Sequence, residues 1–252
     1  MLRVRITGWV LLSLVGFVLG CATADLKKKS GAKEQLGNSY LQDGRYQDAL
    51  RELLDASELE PNSPTLHFSI GNAYQGIREH EKAISHYKRA IQLRPNYPDA
   101  WNNLGVSYGA TGNYDMAIEA FRKAADDPLY RTRFLAYENM GAAYHSKGNY
   151  KTAVQYYRKA IDFAPDYGSS YEKMGVSYEA LKDWNNALAA YKRASELSPD
   201  VALYHLRSGI AYLQVNRQVE AMEALLTAVN LDPQGRVGEE ARRILNDLRK
   251  RQ

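Results

Sequence analysis

The 252-residue chain carries a single cysteine, Cys21, so an intrachain disulfide is excluded. It lacks the Pro-, Gly- or Ser-rich stretches that mark linkers, which points to one elongated array rather than separate domains. It also lacks an excess of one charge. Basic side chains number 33 against 29 acidic ones, and setting Arg3 and Arg5 aside leaves 31 against 29. No basic stripe is interleaved with aromatics, so nucleic acid is not an expected partner. The five histidines are scattered, His80 and His86 are six apart, and no H-E-x-x-H occurs. With no metal motif, phosphate-binding loop or acid–base pair, we expect no metal, no cofactor, no small-molecule substrate and no enzymatic activity. The apolar run Gly8 to Gly20 is too short to read as a membrane span.

What is present is a period. Gly37, Gly71, Gly105, Gly141, Gly175 and Gly209 each precede a tyrosine by three residues, at steps of 34, 34, 36, 34 and 34. Such periods signify stacked repeats. In the copy that starts at Pro98, Trp101, Leu104, Gly105 and Tyr108 make one helical stripe, and Ala117, Phe121 and Ala124 a second. Each repeat is therefore two short amphipathic helices, joined by turn residues such as Gly112-Asn113 and Gly148-Asn149. Pro61, Pro95, Pro165, Pro199 and Pro233 close the second helix, since proline lacks the N–H that a helix needs.

These residues resemble the tetratricopeptide repeat consensus. The resemblance implies an all-α fold, a right-handed superhelical solenoid of six repeats: 30–63, 64–97, 98–133, 134–167, 168–201 and 202–235. Residues 236–252 are expected to form a capping helix, with Ala241, Ile244, Leu245 and Leu248 on its apolar side. Lys33, His67, Tyr137, Tyr171 and His205 replace the consensus tryptophan and Ser208 a leucine, so looser packing is expected in the outer repeats. Gly105-Val106-Ser107-Tyr108-Gly109 matches G-x-S-x-G. A nucleophile elbow needs a strained strand-to-helix turn, and here the segment is expected inside a helix.

In this architecture the first helices line a concave surface, which implies partner-binding candidates. They are Asn38, Leu41, Phe68, Asn72, Asn102, Asn103, Glu138, Asn139 and His145, with Glu172, Lys173 and Glu179 in the fifth repeat. Paired carboxamides donate and accept at once and so suit an extended backbone. The alternative is ordinary surface polarity. In the sixth repeat Leu203, Leu206, Ile210 and Leu213 are apolar instead, and the terminal helix is expected to cover them.

Arg3 and Arg5 before the apolar run read as a secretory signal over residues 1–20. Val18-Leu19-Gly20-Cys21 resembles the bacterial lipobox, which implies acyl chains on Cys21 as the only covalent addition and, with Ala22 following, the outer membrane. Residues 21–29 are expected to be a lipidated tether, of which Ala22 to Lys29 reach roughly 26–29 Å when extended. The third repeat runs two residues long at Asp126-Asp127-Pro128-Leu129-Tyr130-Arg131-Thr132-Arg133. This loop, with the acylated cysteine and six repeats, resembles type IV pilus pilotin lipoproteins of the PilF/PilW/Tgl type. That implies binding to the pilus secretin subunit, help with its outer-membrane localisation or assembly, and a role in motility. A general periplasmic scaffold that recruits peptidoglycan enzymes or other envelope proteins is the alternative.

Overall fold

The computed structural model describes the backbone of residues 7–250 and the side chains of residues 25–250. Among these residues there are thirteen helices and no strand. They fall into two compact units, Met1–Gly112 and Asn113–Gln252. The first contains α1 (Thr7–Gln42), α2 (Tyr46–Leu59), α3 (Pro64–Gly76), α4 (His80–Leu93) and α5 (Pro98–Ala110). The second contains α6 (Tyr114–Ala125), α7 (Arg133–Ser146), α8 (Tyr150–Phe163), α9 (Gly168–Ala180), α10 (Trp184–Leu197), α11 (Ala202–Gln214), α12 (Gln218–Leu231) and α13 (Arg236–Arg249). Within each unit, consecutive helices pack as the repeat pattern requires.

Local chemistry sets the length of each helix. The turns that close first helices each hold one residue with positive φ: Gly44, Arg78, Gly112, Gly148, Lys182 and Asn216. Three of these lack the glycine that would adopt this conformation without strain. Second helices stop at Glu60, Arg94, Ala164, Ser198 and Asp232, whose φ values lie between −133° and −142°. Each precedes a proline, which drives its neighbour out of the helical region. The third repeat has no proline in that register, and Asp126 stays helical at φ −71°, ψ −19°. The long loop is then held by Asp127. Its carboxylate accepts from the Leu129 N–H at 2.8 Å and its carbonyl from the Arg133 guanidinium at 2.6 Å.

The repeat glycines mark close approach. A Cβ on Gly71 would sit 2.5 Å from the Tyr87 ring, and one on Gly175 2.5 Å from the Tyr191 ring. Both rings are fully buried, yet their hydroxyls reach polar residues on the neighbouring first helix. The tyrosine thus links the core to the face where a partner would sit.

Three of the five replacements of the consensus tryptophan keep a specific bond. Trp101 Nε1 donates to the Pro95 carbonyl at 3.2 Å and the Tyr171 hydroxyl to Pro165 at 3.1 Å. His67 and His205 place Nε2 at 3.0 and 2.9 Å from the Pro61 and Pro199 carbonyls. A carbonyl only accepts, so both imidazoles carry their proton on Nε2. Histidine and tyrosine at these positions supply the same donor as tryptophan. Tyr137 follows Arg131 rather than a proline and instead stacks between Tyr156 and Phe163.

At the carboxyl end, α13 lays Val237, Ala241, Ile244, Leu245 and Leu248 on Leu203, Leu206, Ile210 and Leu225. Its start is held by Asp232, whose carboxylate accepts from the Val237 N–H at 3.1 Å. At the amino end, α1 runs without a break through residues 22–29. These eight residues therefore span about 12 Å at ~1.5 Å per residue, as suits a helical segment free of proline. The whole signal segment 1–20 and Cys21 lie before the described side chains. No helix of the described residues is long and apolar enough to cross a membrane.

Candidate functional site

Each unit presents a polar face built from first helices. In the first unit, α3 and α5 carry a chain of neutral groups. Asn103 Nδ2 donates to Asn72 Oδ1 at 2.9 Å, and the Tyr87 hydroxyl lies 2.8 Å from the same oxygen and 2.7 Å from Gln75 Oε1. Asn72 is thereby oriented with its NH2 available to a ligand. Burial raises the Tyr87 hydroxyl pKa, so it stays protonated and donates. Phe68 stands beside this chain, with ring centroids 5.0 Å from Tyr97 and 6.0 Å from Tyr87. Amides flanked by an aromatic can hold an extended backbone and seat one apolar side chain.

Two of the expected lining residues serve this face from behind. Asn102 is 8% exposed and donates to Asn103 Oδ1 at 3.3 Å, so it positions its neighbour. Leu41 packs on the core of Ala49, Leu53, Leu66 and Ile70, because its turn of α1 rests on α2 and α3. Asn38 is half-buried on α1.

In the second unit, α7, α9 and α11 carry charge at comparable positions. Glu138 is 3% exposed. Its carboxylate accepts from the Ser170 hydroxyl at 2.6 Å and pairs with the Lys173 ammonium. Arg207 lies 3.9 Å from Glu172 and 3.6 Å from Glu179. Glu179 also accepts from the Tyr191 hydroxyl at 2.7 Å. Burial raises the Glu172 carboxyl pKa, with Arg207 pulling the other way. Three carboxylates face two cations, so the cluster carries net negative charge. His145 extends it, with Nδ1 2.9 Å from Ser177 Oγ and its ring edge-on to Tyr150. Burial lowers the His145 pKa, favouring the neutral imidazole. Asn139 is half-buried on α7 beside Glu138.

The sequence missed Arg207 and Ser170. Arg207 stands among the apolar residues of the sixth repeat, and its place is identical to that of Asn103 five residues past its own repeat's start. Ser170 lies at a position not expected to line the surface and reaches Glu138 only through packing of α9 on α7. The G-x-S-x-G segment lies inside α5, with Ser107 fully buried, so it has no elbow geometry. Among the described residues, no three histidine, cysteine or carboxylate side chains are grouped to hold a metal ion.

Family models agree with this arrangement. A TPR repeat model matches residues 37–77 and 79–112, and tetratricopeptide repeat models match 100–127, 134–167 and 173–236. The chain belongs to the tetratricopeptide repeat family. No curated protein matches it in sequence. Several solved structures share its fold. PilF of Pseudomonas aeruginosa is similar over 86% of this chain and 97% of its own, with 22% identity and a TM-score of 0.72. PilW, a widely conserved type IV pilus biogenesis factor, is similar over 84% of this chain and 97% of its own, with 19% identity and a TM-score of 0.75. YrrB, a tetratricopeptide repeat protein with an unusual peptide-binding site, matches 76% of this chain and 97% of its own, at 19% identity and a TM-score of 0.57.

Proposed function

We propose that this protein is an outer-membrane lipoprotein of the pilotin type, which captures the secretin subunit of a type IV pilus and promotes its localisation and assembly. Acyl chains on Cys21 hold it at the membrane, and its repeats face the periplasm and bind a secretin segment. The observation that carries this reading is the extent of the likeness. Two pilus proteins are matched along 97% of their own length, with TM-scores of 0.72 and 0.75 against 0.57 for YrrB. The amide-and-aromatic face of α3 and α5 supports a polypeptide ligand, since amides read backbone groups and Phe68 offers an apolar anchor.

Anchoring supplies the second half of the mechanism. Each buried CH2 contributes about 0.8 kcal/mol, so one acyl chain binds marginally and two or more hold firmly. Confinement to the membrane raises the local concentration of the binding face where the secretin assembles. Deleting the gene and blotting for the detergent-resistant secretin oligomer tests the reading. Loss or mislocation of the oligomer is expected, and a normal amount in the outer membrane would sink it. Cys21→Ala should leave the helical fold intact and release the protein from membranes; retention of the variant there would remove the lipid anchor from the account.

A further inference from the structure

In five repeats the seventh residue is large and apolar: Leu36, Ile70, Leu104, Met140 and Met174. The sixth has Ser208. Across from it on α12 is Ala224, where the second and fourth repeats carry His86 and Tyr156. Two small residues here leave volume unfilled. An open pocket of about 230 Å³ lies at this point, lined from α10, α11 and α12.

The pocket is polar in a specific way. Ser208 is 3% exposed, and its hydroxyl has no hydrogen-bond partner among the described residues. A buried hydroxyl left in that state is unfavourable, and a donor from outside would relieve it. His205 spends its Nε2 proton on the Pro199 carbonyl, so its Nδ1 is an acceptor. Glu196, Glu220 and Glu223 bring three carboxylates to the lining, against the one ammonium of Lys192. Arg193 and Arg217 pair with Glu196 and Glu220, whereas Glu223 makes no ion pair among the described residues.

We propose that this pocket binds a primary ammonium group, the end of a lysine side chain carried by a polypeptide partner. An ammonium is compact and donates three hydrogen bonds while accepting none. It matches the acceptor set of Ser208 Oγ, His205 Nδ1 and the Glu223 carboxylate. A guanidinium is a flat fork that needs coplanar acceptors. The aliphatic stem of lysine packs along the Tyr212 ring and Ala224, which belong to the same lining. The proposal stands apart from the pilotin reading, since it concerns a pocket between three helices and not the polar faces of the first helices.

The test uses the full ¹⁵N-labelled chain in detergent, titrated with Nα-acetyl-lysine methylamide and followed by amide shifts of Ser208 and Ala224. A saturable shift is expected, weakening as salt is raised. The norleucine analogue, which has a similar stem without the charge, should give none. Ser208→Leu, the residue of the first and third repeats, should abolish the shift while leaving circular dichroism unchanged. Glu223→Gln should weaken binding about fivefold, the scale of one partly exposed charge. Absence of saturation would mean that water satisfies the hydroxyl, and it overturns the proposal. So does an equal response to norleucine methylamide or an unaltered response in Ser208→Leu. Tighter binding of putrescine than of the lysine derivative would assign the pocket to a free amine and overturn it as well.

Discussion

On α3 and α5 the polar face is made of neutral amides and a phenol, and on α7, α9 and α11 corresponding positions carry Glu138, Lys173, Glu172, Glu179 and Arg207. Both faces rest on the same scaffold, a glycine on the first helix over a tyrosine from the second. The buried ring is constant, and what its hydroxyl meets differs: Asn72 and Gln75 in one unit, Glu179 in the other. One repeat framework thus supports two chemistries. The neutral face suits backbone recognition and should respond little to salt, whereas the charged face suits a basic segment and is screened as salt rises.

The comparison breaks first at Lys173. Lys173→Met strands a carboxylate that is 3% exposed, and should lower stability by about 3 kcal/mol in urea unfolding. If Glu138 lost its cation without measurable cost, the ionic face would be ordinary surface charge. The pH response gives the next-largest effect. Burial, with a smaller contribution from nearby His67, lowers the His86 pKa from 6.5 to about 4. The unfolded chain therefore takes up a proton that the folded one resists. The stability this provides is complete above pH 6.5 and is lost as pH falls toward about 4. After discounting for partial exposure, the loss should reach ~2 kcal/mol. His86→Phe, which keeps a ring against Tyr74, should flatten that part of the profile. A slope unchanged in the variant would move its origin elsewhere. Glu172 acts in the opposite sense: its raised pKa favours the folded state at low pH, and that contribution fades as pH rises through the raised value.

A smaller effect is expected from Asn103→Ala, which removes a neutral hydrogen bond to Asn72 worth about 1 kcal/mol. A loss equal to that of Lys173→Met would erase the distinction between the faces. Last, Lys182→Gly and Arg78→Gly relieve positive φ in one turn of each unit. Each should raise the unfolding free energy by roughly 0.5–1 kcal/mol, the relief of a left-handed conformation offset by glycine's unfolded-state entropy. Destabilisation of either variant would show that the side chain contributes more than its backbone strain takes away.

The helix pairs and their bounds were legible because one signal repeats six times. Gly71, Gly175 and the closing prolines each encode a steric fact that no tertiary context overrides. The roles of His67, Tyr171 and His205 were less legible. A consensus records the commonest residue, tryptophan, and the physical requirement is a donor aimed at a carbonyl six residues back. The face was read by helical position, which cannot separate a side chain that points outward from one sealed by its neighbour. Asn102 and Glu138 are the sealed ones, because Asn103 and the Ser170–Lys173 pair close over them. The helical course of residues 22–29 was hidden because a short lysine-rich stretch reads equally as tether and as part of a longer helix whose later turns are supported by α2.

The most direct measurement is binding between the purified full-length protein and the secretin subunit encoded in the same genome, followed by isothermal titration calorimetry in matched detergent. The account predicts saturable one-to-one or integral-ratio binding that Asn72→Ala weakens while the helical signal is unchanged. No heat at micromolar concentrations, or undiminished binding after the polar faces of both units are altered, would contradict it.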